Sequence, residues 1–222
     1  MQDIDRLLVI RHQFKTKQMN PLSFSLTSDG SKTIYNNQIG EHYHSRHGAL
    51  QESRHVFLNS GLKYFLESKN PPEVSILEVG FGTGLNFLLS ADHASANKMK
   101  LEYTGIEAYP LSADMIRDTD YGQYISSELW HSFQEKYSSA LKSEVAVDPY
   151  CLLTISCTKV LDFETHKRYD IIYFDAFAAV HQPEMWSHET LAKISKFLKP
   201  GGVFVTYAIT GNLKRSMKAL GF

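Results

Sequence analysis

The chain has 222 residues, of which 43% are hydrophobic and 21% are charged, and this globular composition excludes wholesale disorder. Its 23 Lys and Arg residues nearly balance its 24 Asp and Glu residues, which excludes nucleic-acid binding driven by bulk positive charge but not a local basic patch. The longest early apolar run, at residues 7–10, is too short for a signal peptide or a membrane span, so we expect a cytoplasmic protein without membrane contact.

The first part of the chain is expected to form a small β-rich appendage. Three β-prone runs surround a turn signal at Asp29-Gly30. They lie at residues 7–10, 22–26 and 32–35. A helix is then predicted over residues 49–66, and Asn70-Pro71-Pro72 breaks the chain after it. We divide the chain into the appendage, residues 1–47, and a second domain, residues 48–222.

Strands and helices alternate after residue 73, which is typical of an open, mostly parallel α/β sheet with helices on both faces. The fourth strand contains the apolar run 171–174, as in strands buried on both faces. Ligands of such sheets bind outside the carboxyl ends of the strands. The five predicted strands are residues 74–79, 101–106, 152–157, 169–174 and 203–207, and the predicted helices are residues 84–93, 110–117, 127–141 and 183–198, the last ended by Pro200-Gly201-Gly202.

A glycine-rich loop follows the first of these strands. Gly80, Gly82 and Gly84 have a spacing of two, which lets the backbone turn sharply and approach a ligand closely. A dinucleotide fingerprint would require a glycine where Leu85 stands. The acidic-x-Gly-x-Gly-x-Gly pattern instead resembles the first motif of Rossmann-like methyltransferases that use S-adenosylmethionine. This resemblance implies that the methyl donor binds at Glu78, Gly80, Gly82, Thr83, Gly84 and Asn86.

Three acidic residues follow later strands of the predicted sheet. Glu107 follows the second strand, where an acidic residue binds ribose hydroxyls in this architecture; the alternative is a solvated acid at a strand end. Asp162 follows the third strand, and in methyltransferases an acid here often meets the adenine amino group; an exposed loop aspartate is the alternative. Asp175 ends the fourth strand, so we expect it beside the transferred methyl group rather than in a helix cap.

Two longer motifs make the resemblance specific. The run YFDAFA at residues 173–178, followed by QPEMW at 182–186, and EVGFGTGLNFL at 78–88 resemble the methyltransferase domain of the bifunctional tRNA 5-methylaminomethyl-2-thiouridine biosynthesis protein and its stand-alone relatives. The similarity spans roughly residues 36–222 and includes Tyr43, Ser45, Glu52 and the terminal Gly221-Phe222. The sequence departs from the family at Ala179, which replaces a proline, and the oxidase domain of the fused protein is absent.

The resemblance implies a specific reaction. The enzyme would transfer a methyl group to the nitrogen of the 5-aminomethyl group on the wobble uridine of tRNA, with S-adenosylmethionine as donor and tRNA as partner. Asp175 would accept the amine proton, and Phe177 would stack on the uracil ring. We assign further substrate contacts to Tyr43, Ser45 and Glu52, and phosphate contacts to Lys214 and Arg215. The tRNA species and the oligomeric state are left open.

Other functions remain open at this point. An aminopropyltransferase shares the fold but would line a polyamine slot with several acids, and only Asp175 and Glu184 follow the fourth strand. Another small-molecule methyltransferase and a non-catalytic nucleotide- or tRNA-binding module are further alternatives. The sheet has fewer predicted strands than this class usually has. We therefore expect the natural chain to continue past Phe222, or another segment to cover the exposed sheet edge.

Histidines and cysteines give no sign of a metal site or a disulfide. His42, His44 and His47 cluster without accompanying ligands at metal spacing, so we expect no metal; His44 either lines the entrance to the donor site or has no role. Cys151 and Cys157 lie about 20 Å apart along one extended strand, too far for a disulfide. We expect both to be reduced thiols in the core.

Overall fold

A computed structural model describes residues 21–222. The β-prone run at residues 7–10 lies outside the described residues. The described chain contains a three-stranded antiparallel sheet followed by a six-stranded mixed sheet. The α/β class predicted from the sequence is confirmed.

The small sheet consists of β1 (Leu22–Leu26), β2 (Lys32–Asn36) and β3 (Glu41–His42). Asp29 organises the turn between β1 and β2, because its Oδ1 accepts hydrogen bonds from Thr27 Oγ1 and from the backbone nitrogen of Ser31. Its Oδ2 accepts a bond of 2.9 Å from the backbone nitrogen of Gln51. The turn is therefore attached to the helix that follows the sheet. The division of the chain at residue 47 stays a prediction.

Helix α1 covers residues 49–69, close to the predicted range. Its ends are α-helical (Ala49–Glu52 and Tyr64–Lys69) and its centre is a π-helix (Ser53–Lys63). Gly61 lets this helix pack closely on the large sheet, since a Cβ there would lie 2.7 Å from the ring of Tyr173. Asn70, in the left-handed conformation, ends the helix.

The large sheet has the strand order β6-β7-β5-β4-β8-β9. All neighbouring strands are parallel except β6, a short antiparallel edge strand absent from the sequence prediction. Val79 at the end of β4 pairs with Ile106 of β5 and Phe174 of β8, so three strands end side by side. The strands are β4 (Glu73–Val79), β5 (Lys100–Ile106), β6 (Val145–Ala146), β7 (Cys151–Ser156), β8 (Tyr169–Phe174) and β9 (Leu198–Val205).

Helices cover both faces of the large sheet. Alternate strand residues point to opposite faces: Tyr173 belongs to a core shared with α1, α2 and α4, and Phe174 to a core shared with α5 and α6. The large sheet is therefore buried on both sides, as its apolar strands predict. The helices are α2 (Leu85–Ala96), α3 (Ala113–Asp118), α4 (Ser127–Ala140), α5 (His188–Ser195) and α6 (Gly211–Ala219).

The prediction of one helix over residues 183–198 is wrong. A 3₁₀ turn (Pro183–Trp186) precedes α5, and Ser187 between them has an extended backbone. The Ser187 side chain accepts a hydrogen bond from the backbone nitrogen of Thr190, so it caps a new helix instead of continuing the old one. β9 then begins at Leu198, before the proline and glycines expected to precede it.

Three further expectations concern membranes, metals and cysteines. Among residues 21–222, no helix has the length and apolar composition needed to cross a membrane, and no group of His, Cys, Asp and Glu in that range is arranged to hold a metal ion. Cys151 is buried and Cys157 is exposed, and both are free thiols. Placing Cys157 in the core was wrong, because β7 ends one residue before it.

Candidate functional site

A cleft with a volume of about 1250 Å³ lies at the carboxyl ends of β4, β5 and β8. Single small-molecule sites usually measure about 300–1,000 Å³, so this cleft has room for two ligands side by side. The glycine loop forms its floor, and the segment after β2 forms one wall. Acidic residues from several elements line it: Glu41, Glu52, Glu107, Asp162 and Asp175.

Gly80 joins the ends of three strands. Its backbone nitrogen donates a 3.0 Å hydrogen bond to the carbonyl of Ile106 at the end of β5. Its φ is +87°, and a Cβ would lie 2.4 Å from the carbonyl oxygen of Asp175. Only glycine has both this backbone conformation and this close approach, so the glycine is required to bring the loop against the end of β8.

The other two glycines of the loop have different surroundings. Gly82 has φ +50° and lies in the cleft wall, where a Cβ would be 3.0 Å from the ring of Tyr43. Gly84 has φ +78° and precedes α2, and a Cβ there would meet the rings of Phe81 and Phe133 at 3.1 and 3.2 Å. Gly84 does not line the cleft. The expectation that all three glycines surround the ligand is therefore wrong for Gly84, which serves core packing.

Glu107 is half-buried beside the glycine loop. Its Oε2 accepts a 2.9 Å hydrogen bond from the backbone nitrogen of Gly82, and its Oε1 a 3.0 Å bond from that of Tyr109. Burial raises the pKa of Glu107, and the two backbone bonds oppose this change. Each oxygen keeps a lone pair for a ligand hydroxyl. Asp162 is exposed on the cleft's rim, in the 3₁₀ turn Val160–Asp162.

Glu78, Asn86 and Asp175 form a hydrogen-bonded chain at the inner end of the cleft. The Asn86 amide nitrogen donates to Glu78 Oε1 at 2.9 Å and to Asp175 Oδ2 at 2.8 Å. Tyr103 Oη donates to Glu78 Oε2 at 2.9 Å. Burial, followed by the charge of Asp175, raises the pKa of Glu78 well above its usual value. Glu78 is 1% exposed and Asn86 is 3% exposed.

Asp175 follows β8 directly, and its backbone nitrogen donates a 2.8 Å bond to the carbonyl of Val79. Burial raises the pKa of its carboxyl group well above the usual value, and the charges of Glu52 and Glu41 raise it further. The sequence argument expected this carboxylate to stay ionised. Without a cation in the cleft, its surroundings favour the protonated form instead.

The segment that follows β2 contributes an aromatic and acidic wall. Tyr43 packs edge-on against Phe177, with ring centroids 5.1 Å apart, and burial raises the pKa of Tyr43 to about 12. Glu52 Oε1 accepts a bond from the backbone nitrogen of Ser45. Glu41 Oε2 accepts one of 2.9 Å from the backbone nitrogen of Ala178. Sequence reasoning missed Glu41, although strand alternation puts position 41 on the same side as Tyr43.

His44 connects the small sheet to the glycine loop. Its Nδ1 lies 3.3 Å from Thr33 Oγ1 and its Nε2 lies 3.4 Å from Thr83 Oγ1. The imidazole is buried, and this burial lowers its pKa to about 4. The ring is thus neutral at physiological pH and holds Thr83, another residue expected to bind the donor, in the cleft wall.

The two predicted phosphate contacts lie apart from the cleft. Lys214 and Arg215 are exposed on α6 and are not among the residues that line it. The Arg215 guanidinium donates to Asn212 on the same helix. These cations could meet only a ligand that extends beyond the cleft.

Comparisons with known proteins agree with this architecture. A family model described as S-adenosyl-L-methionine-dependent methyltransferase matches residues 125–222. The tRNA 5-methylaminomethyl-2-thiouridine biosynthesis bifunctional protein MnmC of Methylobacillus flagellatus is 30% identical over 85% of this chain and 30% of its own length. The protein of the same name in Pseudomonas savastanoi is 31% identical over 81% of this chain and 29% of its own length. The chain thus spans about 30% of the length of these curated relatives.

A solved structure provides a comparison of the fold. MNMC2 from Aquifex aeolicus matches with a TM-score of 0.72 and 24% identity, over 93% of this chain and 66% of that one. At this identity the match concerns the fold. It includes the small antiparallel sheet as well as the large one, since almost the whole chain is covered.

Proposed function

We propose, from the premise that this chain belongs to the S-adenosyl-L-methionine-dependent methyltransferase family, that it methylates the nitrogen of a 5-aminomethyl group on the wobble uridine of tRNA. The curated relatives are named for biosynthesis of the corresponding methylaminomethyl nucleoside. The observation that carries the proposal is the position of Asp175 beside Gly80, at the meeting point of three strand ends. The proposed substrate places the enzyme in the cytoplasm.

The residues of the cleft fit the donor. S-adenosyl-L-methionine supplies an electrophilic methyl group on a positively charged sulfur. The loop next to Asp175 has glycines where a side chain would fill the space, and carboxylates of opposite charge to the donor surround it. Gly80 and Gly82 would contact the methionine part. Glu107 would accept hydrogen bonds from the ribose hydroxyls, and Asp162 would face the adenine amino group.

The rest of the cleft would hold the acceptor. The volume of about 1250 Å³ leaves space beside the donor. The paired rings of Tyr43 and Phe177 would stack against an unstacked pyrimidine. Glu52 and Glu41 would attract the protonated amine, and Ser45 fixes the orientation of Glu52 through its backbone nitrogen.

Asp175 would take the proton that the acceptor must lose. An aminomethyl group is an ammonium ion at neutral pH, and its nitrogen can attack only after deprotonation. The raised pKa of Asp175 suits a proton acceptor, and two adjacent cations would return the carboxyl to its ionised form before transfer. The remaining acceleration comes from holding the two reactants in line and excluding water.

Aminopropyl transfer is less well supported. The matching family model describes methyltransferases and the curated relatives act in nucleoside biosynthesis by name. The acidic wall of the cleft would also suit a polyamine. Incubating the enzyme with tRNA and with polyamines, each with its own donor, separates the two: methyl transfer adds one methylene to the mass of the nucleoside, and aminopropyl transfer lengthens the amine.

The test of the mechanism is Asp175→Asn, which keeps the shape and removes the charge. We expect single-turnover methyl transfer to aminomethylated tRNA to slow by about 10²-fold or more, within the range of a positioned acid–base group, with donor affinity nearly unchanged. Glu189→Gln, an exposed carboxylate in the first turn of α5, is the matched control and should transfer at the wild-type rate. A rate for Asp175→Asn within a few-fold of wild type would remove this residue from the mechanism.

A further inference from the structure

Both amide hydrogens of Asn86 are used inside the protein. One is donated to Glu78 Oε1 and the other to Asp175 Oδ2, at 2.9 and 2.8 Å. The side chain is 3% exposed and lies in the first turn of α2, so the helix fixes its position. Neither hydrogen remains for a ligand. This arrangement disagrees with the expectation that Asn86 binds the methyl donor.

We propose that Asn86 is a positioning residue that holds the Asp175 carboxyl group against the cleft and couples it to the buried carboxyl group of Glu78. This inference rests on the proposed function, since Asp175 is the proton acceptor there. Asn86 acts through Asp175 and does not touch the reactants.

The geometry makes the three groups one unit. Two short bonds to a single nitrogen place an oxygen of Glu78 and an oxygen of Asp175 within about 6 Å of each other, a distance at which charges change each other's titration. Tyr103 holds the second oxygen of Glu78. Glu78 is therefore fixed from two sides, and it anchors the amide that in turn orients Asp175.

The surroundings of Asp175 show what the amide contributes. Burial raises the pKa of Asp175, and so do Glu52 from α1 and Glu41 from β3. Glu78 from β4 is the third acid nearby, and Tyr207 beyond β9 is affected by the Asp175 charge in turn. The hydrogen bond from Asn86 acts in the opposite direction and lowers the pKa. Removing it leaves the contributions that favour the protonated, inactive form.

The experiment measures single-turnover methyl transfer as a function of pH for Asn86→Ala. A hydrogen bond to a charged group is equivalent to about one unit of pKa or somewhat more. We therefore expect the acidic limb of the rate profile to move to higher pH by about one unit, so that the deficit near neutral pH narrows as pH rises. Donor affinity should stay within a few-fold of wild type.

Ser90→Ala is the matched control. Ser90 lies one turn further along α2, is buried, and is 3.4 Å from the hydroxyl of Tyr173 instead of a carboxyl group. It should leave the midpoint of the profile unchanged. A rate for Asn86→Ala that falls by one factor at every pH, or donor binding abolished together with activity, would overturn the proposal.

A second variant covers the case in which Asn86→Ala does not fold. Glu78→Gln removes the charge that Asn86 couples to Asp175, so the acidic limb should move to lower pH, opposite to Asn86→Ala. An unchanged midpoint would contradict the coupling. NMR titration of the Asp175 carboxyl carbon, in wild type and variant, reads the same shifts without catalysis. It separates a failure of this inference from a failure of the proposed function, which would show as no methyl transfer by the wild type.

Discussion

Replacing Gly80 by alanine tests the contact that brings the glycine loop to Asp175. Gly80 has φ +87°, and a Cβ would lie 2.4 Å from the Asp175 carbonyl oxygen and 3.0 Å from its carbon. Both atoms belong to the backbone and cannot rotate away. Gly30 provides the matched control, because its φ is +81° and a Cβ there meets nothing within 4 Å.

The two substitutions share one cost and differ in another. A left-handed backbone costs an L-residue roughly 1–2 kcal/mol, and the stiffer unfolded chain returns about 0.4–1 kcal/mol. Gly30→Ala should therefore lower the unfolding free energy by about 1 kcal/mol. Gly80→Ala adds overpacking against a buried strand end, typically about 1–3 kcal/mol. We expect its total destabilisation to reach about 2–4 kcal/mol, a large part of the stability of an ordinary domain.

Urea unfolding of both variants measures these changes. The midpoint should fall clearly further for Gly80→Ala than for Gly30→Ala, with the slope of free energy against urea unchanged. Below the unfolding range, Gly80→Ala should also slow methyl transfer more than it weakens donor binding, because the alanine displaces Asp175. Equal destabilisation in the two variants would refute the argument that close approach to Asp175 requires glycine at position 80.

Three other expectations address the donor site, the nucleic acid and the small sheet. Gly82→Val, whose side chain would push on Tyr43 and project into the cleft, should weaken donor binding about tenfold or more in calorimetry while the fold survives; normal affinity would exclude Gly82 from the site. Neutralising the exposed cations of α6 should reduce tRNA affinity and lower the slope of log affinity against log salt by about 0.7–0.9 for each phosphate that the variant no longer neutralises, and an unchanged slope would exclude the patch Lys214, Arg215 and Lys218. Burial raises the pKa of Asp29, but four hydrogen bonds outweigh it and lower the pKa to about 2, so the stabilisation is complete above pH about 4 and disappears as pH falls towards 2; urea midpoints of Asp29→Asn should be lower than wild type at neutral pH and should converge with it in acid.

The strands and the glycine loop were predictable because their signals are local. Apolar runs at the predicted positions became β4, β5, β7 and β8 within a residue or two. Parallel strands end at one edge, so Glu107 and Asp175 were expected at the same cleft, and the structure places both there. The prediction of the methyltransferase family, made from the YFDAFA and EVGFGTGLNFL motifs, is confirmed by the comparisons.

The contacts between these elements were decided only by the tertiary structure. Three glycines of one motif have three different neighbours: a strand end, a tyrosine from the small sheet and two rings of the core. Asn86 looked like a ligand contact in the sequence, and the register of β4 with β8 gives its amide to two carboxyl groups instead. Glu41 enters the cleft because the small sheet packs against the loop after β8.

The sequence by itself therefore determined the fold class, the family and the edge of the sheet where ligands bind, since periodicity, turn residues and strand order act over short stretches of chain. Which side chains face one another across the cleft depends on strand register and on the docking of distant segments. These are set by packing over the whole core, and the raised proton affinities of Glu78 and Asp175 follow from that packing because burial and neighbouring charge determine them.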